Sequence, residues 1–193
     1  MVAALRGTGV VSLPLFPSPG LLTPALPWET TEWFNSEPLD LARLRGRVVV
    51  LEAFQMLCPG CVAHALPQAV RLARTFGDDL AVIGLHTVFE HHQAMTPVSL
   101  QAFLHEYRIP FPVGVDAPSD AHPAPVTFSR YRMQGTPTTV LIDRDGMLRG
   151  QKFGQVDDMA LAAAVTRLLD GAVPPAIPPA VSPAVCAIDG TCT

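Results

Sequence analysis

The stretch at residues 48–70 constrains the fold of this chain more than any other. Val48–Phe54 is a short apolar, β-branched run of strand length, and the residues after Cys61 place apolar side chains at helical spacing. The sequence therefore predicts a buried strand that leads into a helix, with Cys58-Pro59-Gly60-Cys61 at the junction. A Cys-x-x-Cys pair in this setting is typical of a redox site.

The two cysteines are expected to differ in their chemistry because they occupy different places in this unit. Cys58 lies near the predicted helix N-terminus, where unpaired backbone N–H groups and aligned peptide dipoles favour negative charge. We therefore expect its thiolate, the form that attacks disulfides, to be favoured over its thiol. Cys61 lies one turn further into the helix and should be more buried, so it should keep its proton longer and resolve the mixed disulfide.

A second motif, Gly135-Thr136-Pro137-Thr138-Thr139, precedes an apolar run at residues 140–142. The strand, the Cys-Pro-Gly-Cys motif, the helix and this later motif, in that order, resemble the thioredoxin superfamily and in particular its redoxin or TlpA-like branch. The resemblance covers residues 33–169. It implies a thiol:disulfide oxidoreductase without an organic cofactor, because the cysteine pair carries the electrons. Its partners would be a protein disulfide or dithiol client and an upstream thiol electron donor or acceptor.

The resemblance also implies roles for three residues besides the cysteines. Pro137 corresponds to a cis proline that such proteins pack against the cysteine pair. With Thr136 it would shape the groove for an extended substrate and keep metals off the thiols. Glu52, six residues before Cys58, corresponds to a buried acid that exchanges protons with the second cysteine. Burial should raise the pKa of that carboxyl toward the range useful for proton exchange.

Strands alternate with helices along most of the chain, which predicts parallel crossovers and a covered sheet. The expected fold class is α/β, a thioredoxin-like fold with a central mixed sheet and helices on both faces. The predicted strands are 33–36, 48–54, 80–86, 111–115 and the hairpin 138–142 and 147–153; the later helices are 97–107 and 157–169.

Proline-rich segments flank this domain on both sides. We expect an extended arm at residues 1–27, the thioredoxin-like domain at 28–170 and a tail at 171–193 that contains Cys186 and Cys192. If Gly190 takes the left-handed position of a three-residue hairpin loop, the two tail cysteines fall opposite each other at disulfide distance. We therefore predict an auxiliary Cys186–Cys192 disulfide under oxidising conditions. Three roles stay open for the two tail cysteines: a structural clip, a redox pair that exchanges with Cys58, or a ligand pair for a soft metal.

Charge and hydropathy argue against two kinds of partner. The formal net charge is -4 and the pI is about 5.8, which does not favour nucleic acid or an anionic membrane surface. No apolar stretch reaches the roughly 18 residues that a membrane span needs, so we expect a soluble protein.

The N-terminal residues do not form a convincing signal peptide, which favours a cytoplasmic location. Because TlpA-like relatives are often exported, an exported or periplasmic location stays an alternative.

Two other functions remain as alternatives. A peroxiredoxin-type thiol peroxidase would oxidise Cys58 to a sulfenic acid, but the threonine that peroxiredoxins place three residues earlier is Gln55 here.

A soft-metal-binding protein or metallochaperone would use Cys58, Cys61 and the tail pair, with His64 as a further ligand. Zinc sites usually have four ligands in two closely spaced pairs, whereas five residues separate Cys186 from Cys192 in the tail. This spacing favours a redox function over a zinc site. We interpret a last polar group as a solvated loop: His86, Glu90, His91 and His92.

Overall fold

Seven strands and four helices form the part of the chain that the computed structural model describes, residues 23–171. In chain order they are β1 (Thr23–Pro24), β2 (Thr30–Phe34), β3 (Val48–Phe54), α1 (Leu66–Phe76), β4 (Leu80–His86), α2 (Pro97–Glu106), β5 (Val113–Asp116), α3 (Val126–Arg130), β6 (Thr138–Ile142), β7 (Met147–Phe153) and α4 (Asp158–Leu169). A π-helical turn, Cys61–Ala65, precedes α1, and a short 3-10 turn, Gly77–Asp79, follows it.

The strands form one mixed sheet in the order β1-β7-β6-β3-β4-β5-β2. The β3–β4 and β4–β5 pairs are parallel, whereas β3–β6, β6–β7, β1–β7 and β2–β5 are antiparallel. β3 is buried along its whole length because it has a strand on each side and side chains packed on each face. A strand in such a place consists of almost continuous apolar residues, as β3 does.

Apolar clusters cover both faces of the sheet. On one face α1, α2 and α4 pack through residues such as Leu66, Leu100 and Leu161, together with Cys61. On the other face α3 and neighbouring loops contribute Phe128, Tyr131, Met133 and Leu44. The predicted thioredoxin-like fold, with a mixed sheet between helices, is thus confirmed.

Local elements differ from the sequence prediction in several places, among them β5, which spans Val113–Asp116 rather than 111–115, and α3, which was not predicted. The helical segment from Cys61 to the end of α1 at Phe76, called the redox helix below, was predicted as a regular helix. It contains Pro67, which lacks an N–H donor, and the chain widens into the π-helical turn directly before α1. The opening strand begins earlier than predicted, at Thr30, because it pairs with β5 along Thr30–Phe34. The end of the predicted N-terminal arm contains β1, which pairs with β7.

Several predictions concern residues that the structure does not describe. Cys186 and Cys192 lie outside residues 23–171, as does most of the predicted arm, so the auxiliary disulfide and the domain limits stay predictions. Within the described range, no helix has the length and hydropathy needed to cross a bilayer.

Candidate active site

Cys58 lies at the N-terminal end of the redox helix. Its carbonyl accepts a hydrogen bond from the Val62 N–H at 3.1 Å, and its Sγ accepts one from the Cys61 N–H at 3.3 Å. The sulfur therefore occupies the capping position, where the first N–H groups of a helix lack main-chain partners. A negative charge on this sulfur is stabilised by that N–H group and by the helix dipole.

Cys61 is completely buried, whereas Cys58 is partly exposed. Burial raises the pKa of the Cys61 thiol well above its usual range, because the thiolate would lose its hydration, and the neighbouring Cys58 raises it further. Both sulfurs are free thiols in this structure, which therefore represents the dithiol state. The arrangement provides an accessible sulfur for attack and a protected one behind it.

The later motif meets the cysteine motif although 78 residues separate Cys58 from Thr136 in the chain. The Cys58 thiol donates a hydrogen bond to the Thr136 carbonyl, with 3.5 Å between Sγ and oxygen. The Thr136–Pro137 peptide bond is cis, and a Cβ placed on Gly60 would lie 3.4 Å from Pro137 Cδ. The Pro137 ring therefore packs against the turn that joins the two cysteines.

Glu52 lies in the middle of β3 and is only 1% exposed. Strand alternation puts it on the same face as Val50 and Phe54, which belong to the cluster that contains Cys61. The Thr139 hydroxyl donates a hydrogen bond to Glu52 Oε2 at 2.8 Å, while Oε1 has no hydrogen-bond partner among residues 23–171. Burial raises the pKa of Glu52 to about 8, and the Thr139 bond opposes part of that rise.

Sequence reasoning named Thr139 and Gln55 only as parts of motifs and gave neither a contact. Thr139 follows Pro137 by two positions and lies on β6, so strand alternation indicates only which face of the sheet it shares, and its contact with Glu52 depends on the register of β6 against β3. Gln55 is buried, accepts a hydrogen bond from the Phe89 N–H at 3.3 Å and donates one to Glu90 Oε1 at 3.2 Å. It thereby ties the loop after β4 to the segment that leads into Cys58, a long-range contact for which the sequence has no signal.

The interpretation of His86 as part of a solvated loop is wrong. His86 is the last residue of β4 and is 1% exposed, whereas Glu90, His91 and His92 are exposed as expected. Its ring lies 5.3 Å from the Phe54 ring, and its Nε2 has no hydrogen-bond partner in the described range. Burial lowers the pKa of His86 to about 4 because the imidazolium would be poorly solvated there.

His86 should make the protein less stable as the pH falls from 6.5 to 4. In this range His86 becomes protonated in the unfolded chain, whereas in the folded protein it stays neutral until about pH 4. This difference lowers the free energy of unfolding by about 3 kcal/mol. Urea unfolding at a series of pH values should show that the difference in stability between the wild type and His86→Leu changes by about 3 kcal/mol over this range, because the other titrating groups, Glu52 included, are common to both proteins. The matched control is His92→Leu, at an exposed histidine, which should keep the wild-type pH dependence. Equal pH dependence in His86→Leu and the wild type would contradict this explanation.

Metal ligation receives no support from the described side chains. No group of three or more His, Cys, Asp or Glu residues is arranged to hold a metal ion within residues 23–171. His64, considered as a ligand beside Cys58 and Cys61, is exposed on the redox helix. The tail cysteines lie outside that range, so a site that includes them is not tested.

Comparison with known proteins gives the same assignment as the geometry. The AhpC/TSA family profile matches residues 24–151, a segment that contains both motifs. The chain belongs to the AhpC/TSA family. This membership confirms the redoxin resemblance on which the sequence prediction depends.

Two solved structures resemble the chain over most of both lengths. A protein of the thioredoxin-like superfamily is 55% identical, with a TM-score of 0.75 over 79% of this chain and 99% of that one. A thiol-disulfide isomerase from Corynebacterium glutamicum is 49% identical, with a TM-score of 0.74 over 76% of this chain and 96% of that one. The prediction of a thioredoxin-like oxidoreductase domain is confirmed by these relatives.

A curated relative is much longer than this chain. The protein DipZ of Mycobacterium tuberculosis is 32% identical over 148 residues, which are 75% of this chain and 20% of DipZ. The chain therefore spans about a fifth of the length of that relative, and the likeness concerns one part of DipZ.

Proposed function

We propose that this AhpC/TSA family member acts as a thiol:disulfide oxidoreductase on protein disulfides through Cys58-Pro59-Gly60-Cys61. One observation carries the proposal: Cys58 Sγ caps the redox helix at 3.3 Å from the Cys61 N–H and lies 3.5 Å from the Thr136 carbonyl, while Cys61 is buried behind it. This combination gives a nucleophilic sulfur an exposed face and a resolving sulfur within one helical turn.

In the reducing direction, the Cys58 thiolate attacks one sulfur of the client disulfide, and the other client sulfur leaves as a thiolate that takes up a proton. Glu52 then accepts the proton of the Cys61 thiol, and the Cys61 thiolate attacks Cys58 Sγ. The Cys58–client bond breaks as the Cys58–Cys61 bond forms. The client leaves as a dithiol, and its two electrons come from the cysteine pair. The opposite direction reverses each step.

The surface beside Cys58 suits an extended, apolar client segment. Leu57, directly before Cys58, is 54% exposed, and Phe153 is 46% exposed. The Phe153 ring packs over Gly135, next to Thr136, because a Cβ on Gly135 would lie 2.7 Å from Phe153 Cε2. Together with Thr136 and Pro137, these side chains would bind the client main chain and its apolar residues beside the attacked disulfide.

Turnover requires a second thiol partner that restores the starting redox state of the cysteine pair. We expect this partner to be a protein thiol or disulfide that uses the same exposed sulfur, because Cys61 is buried. The cytoplasmic location stays a prediction, and so does the exported alternative.

The test is a Cys61→Ser variant that cannot resolve the mixed disulfide. We expect the reduced variant to retain a disulfide-containing client as a stable adduct on Cys58. Insulin can serve as the model client. Non-reducing electrophoresis and mass spectrometry of the linked peptides identify the adduct and its position. The adduct should disappear on addition of dithiothreitol.

Cys58→Ser is the matched control, since it keeps the buried cysteine and removes the exposed one. An adduct on Cys61 in this control, or none on Cys58 in Cys61→Ser, would contradict the assigned order of attack. Peroxide consumption that survives Cys61→Ser, without disulfide reduction by the wild type, would favour the peroxidase alternative. Stoichiometric soft-metal binding without disulfide reduction would favour the metallochaperone.

A further inference from the structure

A polar cavity of about 410 Å³ lies between the redox helix and the connection from β7 to α4. Its lining includes His64, Gln68, Arg71, Thr139, Gln155 and Asp158. Thr139 is the residue of the described chain that both lines this cavity and hydrogen-bonds to Glu52. It therefore stands between the buried carboxyl group and a space large enough for several water molecules.

The two carboxylate oxygens of Glu52 have different surroundings. Oε2 accepts the Thr139 hydroxyl at 2.8 Å, whereas Oε1 is buried without a hydrogen-bond partner within residues 23–171. A buried polar atom without a partner is costly, and such atoms call for a functional or solvent explanation. Because the Thr139 hydroxyl already donates to Oε2, a proton taken up on Oε1 leaves that hydrogen bond unchanged.

The Thr139 hydroxyl is held in place by its strand. Thr139 of β6 is opposite Glu52 of β3 in the antiparallel register and opposite Lys152 of β7 on its other side. The residue is 2% exposed, so its side chain has little freedom to leave Glu52. A donor fixed by two strands keeps the carboxylate in one orientation without rearrangement during the reaction.

The charged groups around the cavity offset one another. Arg71 and Asp158 form an ion pair at 2.7 Å, and the Gln68 amide donates to the same Asp158 carboxylate at 2.6 Å. Asp157 uses its Oδ1 to cap α4, and His64 lies on the exposed side of the redox helix. On the sheet, Glu52 is flanked by Gly84 of β4 and Thr139 of β6, neither of which carries a charge.

We propose that Thr139 is a positioning residue for proton transfer: its hydroxyl fixes Glu52 Oε2, leaves Oε1 to exchange the proton of Cys61, and borders the cavity through which that proton returns to solvent. The inference deepens the proposed function and rests on it. In each cycle the Cys61 thiol gives its proton to Glu52, and the carboxylic acid releases it to water before the next cycle, so that Thr139 itself undergoes no net change.

The experiment compares Thr139→Val, which keeps the shape and removes the hydroxyl, with Thr139→Ser, which keeps the hydroxyl. The ¹³C chemical shift of the Glu52 carboxyl, followed through a pH titration of the reduced protein, reports its protonation directly. We expect the midpoint to rise by about one to two pH units in Thr139→Val, because the carboxylate loses a charge-assisted hydrogen bond. Thr139→Ser should restore the wild-type midpoint.

The pH dependence of client release from the Cys58 mixed disulfide should move with that midpoint in each variant. Thr138→Val is the matched control, since Thr138 lies next in β6 and bonds to the Gly135 carbonyl instead. An unshifted Glu52 midpoint in Thr139→Val, or a shift of the same size in Thr138→Val, would overturn the role of Thr139. Failure of the wild type to reduce disulfides would instead overturn the proposed function, because the carboxyl titration does not depend on activity.

Discussion

Replacing Cys58 with serine is expected to lower the rate of disulfide reduction by at least about 10³-fold, to the background rate. A serine hydroxyl does not ionise in the accessible pH range, so the helix N-terminus has no sulfur anion to stabilise. Cys61 cannot substitute for Cys58, because it is fully buried and burial raises the pKa of its thiol. Insulin reduction with dithiothreitol as the electron donor measures the loss.

A double variant, Cys186→Ser with Cys192→Ser, is the matched control for this loss. This variant removes two cysteines from the tail, the same number that the reaction centre contains. It should retain the wild-type rate of disulfide reduction, because that rate depends on Cys58. Circular dichroism should confirm that each variant is folded. If the tail variant lost activity while Cys58→Ser kept it, the reaction centre would lie in the tail, and the assignment of Cys58 would be wrong.

The substitution Glu52→Gln should remove a large pH dependence of stability. Burial raises the pKa of Glu52 in the folded protein to about 8 from its ordinary value of 4.5, so between these pH values the folded protein holds a proton that the unfolded chain has already lost. The stabilisation is complete below pH 4.5 and is lost as the pH rises through about 8, with a total of about 5 kcal/mol. Urea unfolding of both proteins between pH 4.5 and 9 measures it.

The difference between the two unfolding curves isolates Glu52, since other titrating groups are common to both proteins. The unpaired amide that glutamine would bury adds a cost that does not vary with pH. Glu37→Gln, at an exposed glutamate, is the matched control and should keep the wild-type slope. A wild-type slope in Glu52→Gln would show that this carboxyl is already ionised at low pH in the folded protein.

The same variant should slow client release from the Cys58 mixed disulfide by about 10²-fold, because the Cys61 thiol loses its proton acceptor. In the wild type this rate should rise with pH through about 8, as Glu52 becomes a carboxylate. Stopped-flow measurement of release from a preformed mixed disulfide follows the resolving step alone.

Much of the fold follows from local pattern. The residues of β3, β4, β6 and β7 were predicted with their observed limits, since buried strands and a hairpin turn have strong local signals. The π-helical turn before Pro67 and the early start of β2 were not predicted, because both depend on how neighbouring elements pair. His86 shows the same limit: a polar residue at a strand end can be solvated or buried, and the elements that cover it decide which.

The sequence by itself determined that a redox cysteine pair stands between a buried strand and a helix, because strand period, helix period and the motif are local properties. Only the tertiary structure decided which buried polar groups meet. The Thr139 hydroxyl lies 87 residues from Glu52 in the chain, and the Thr136 carbonyl lies 78 residues from Cys58. Both contacts depend on the antiparallel register of β6 against β3, which a one-residue shift would destroy.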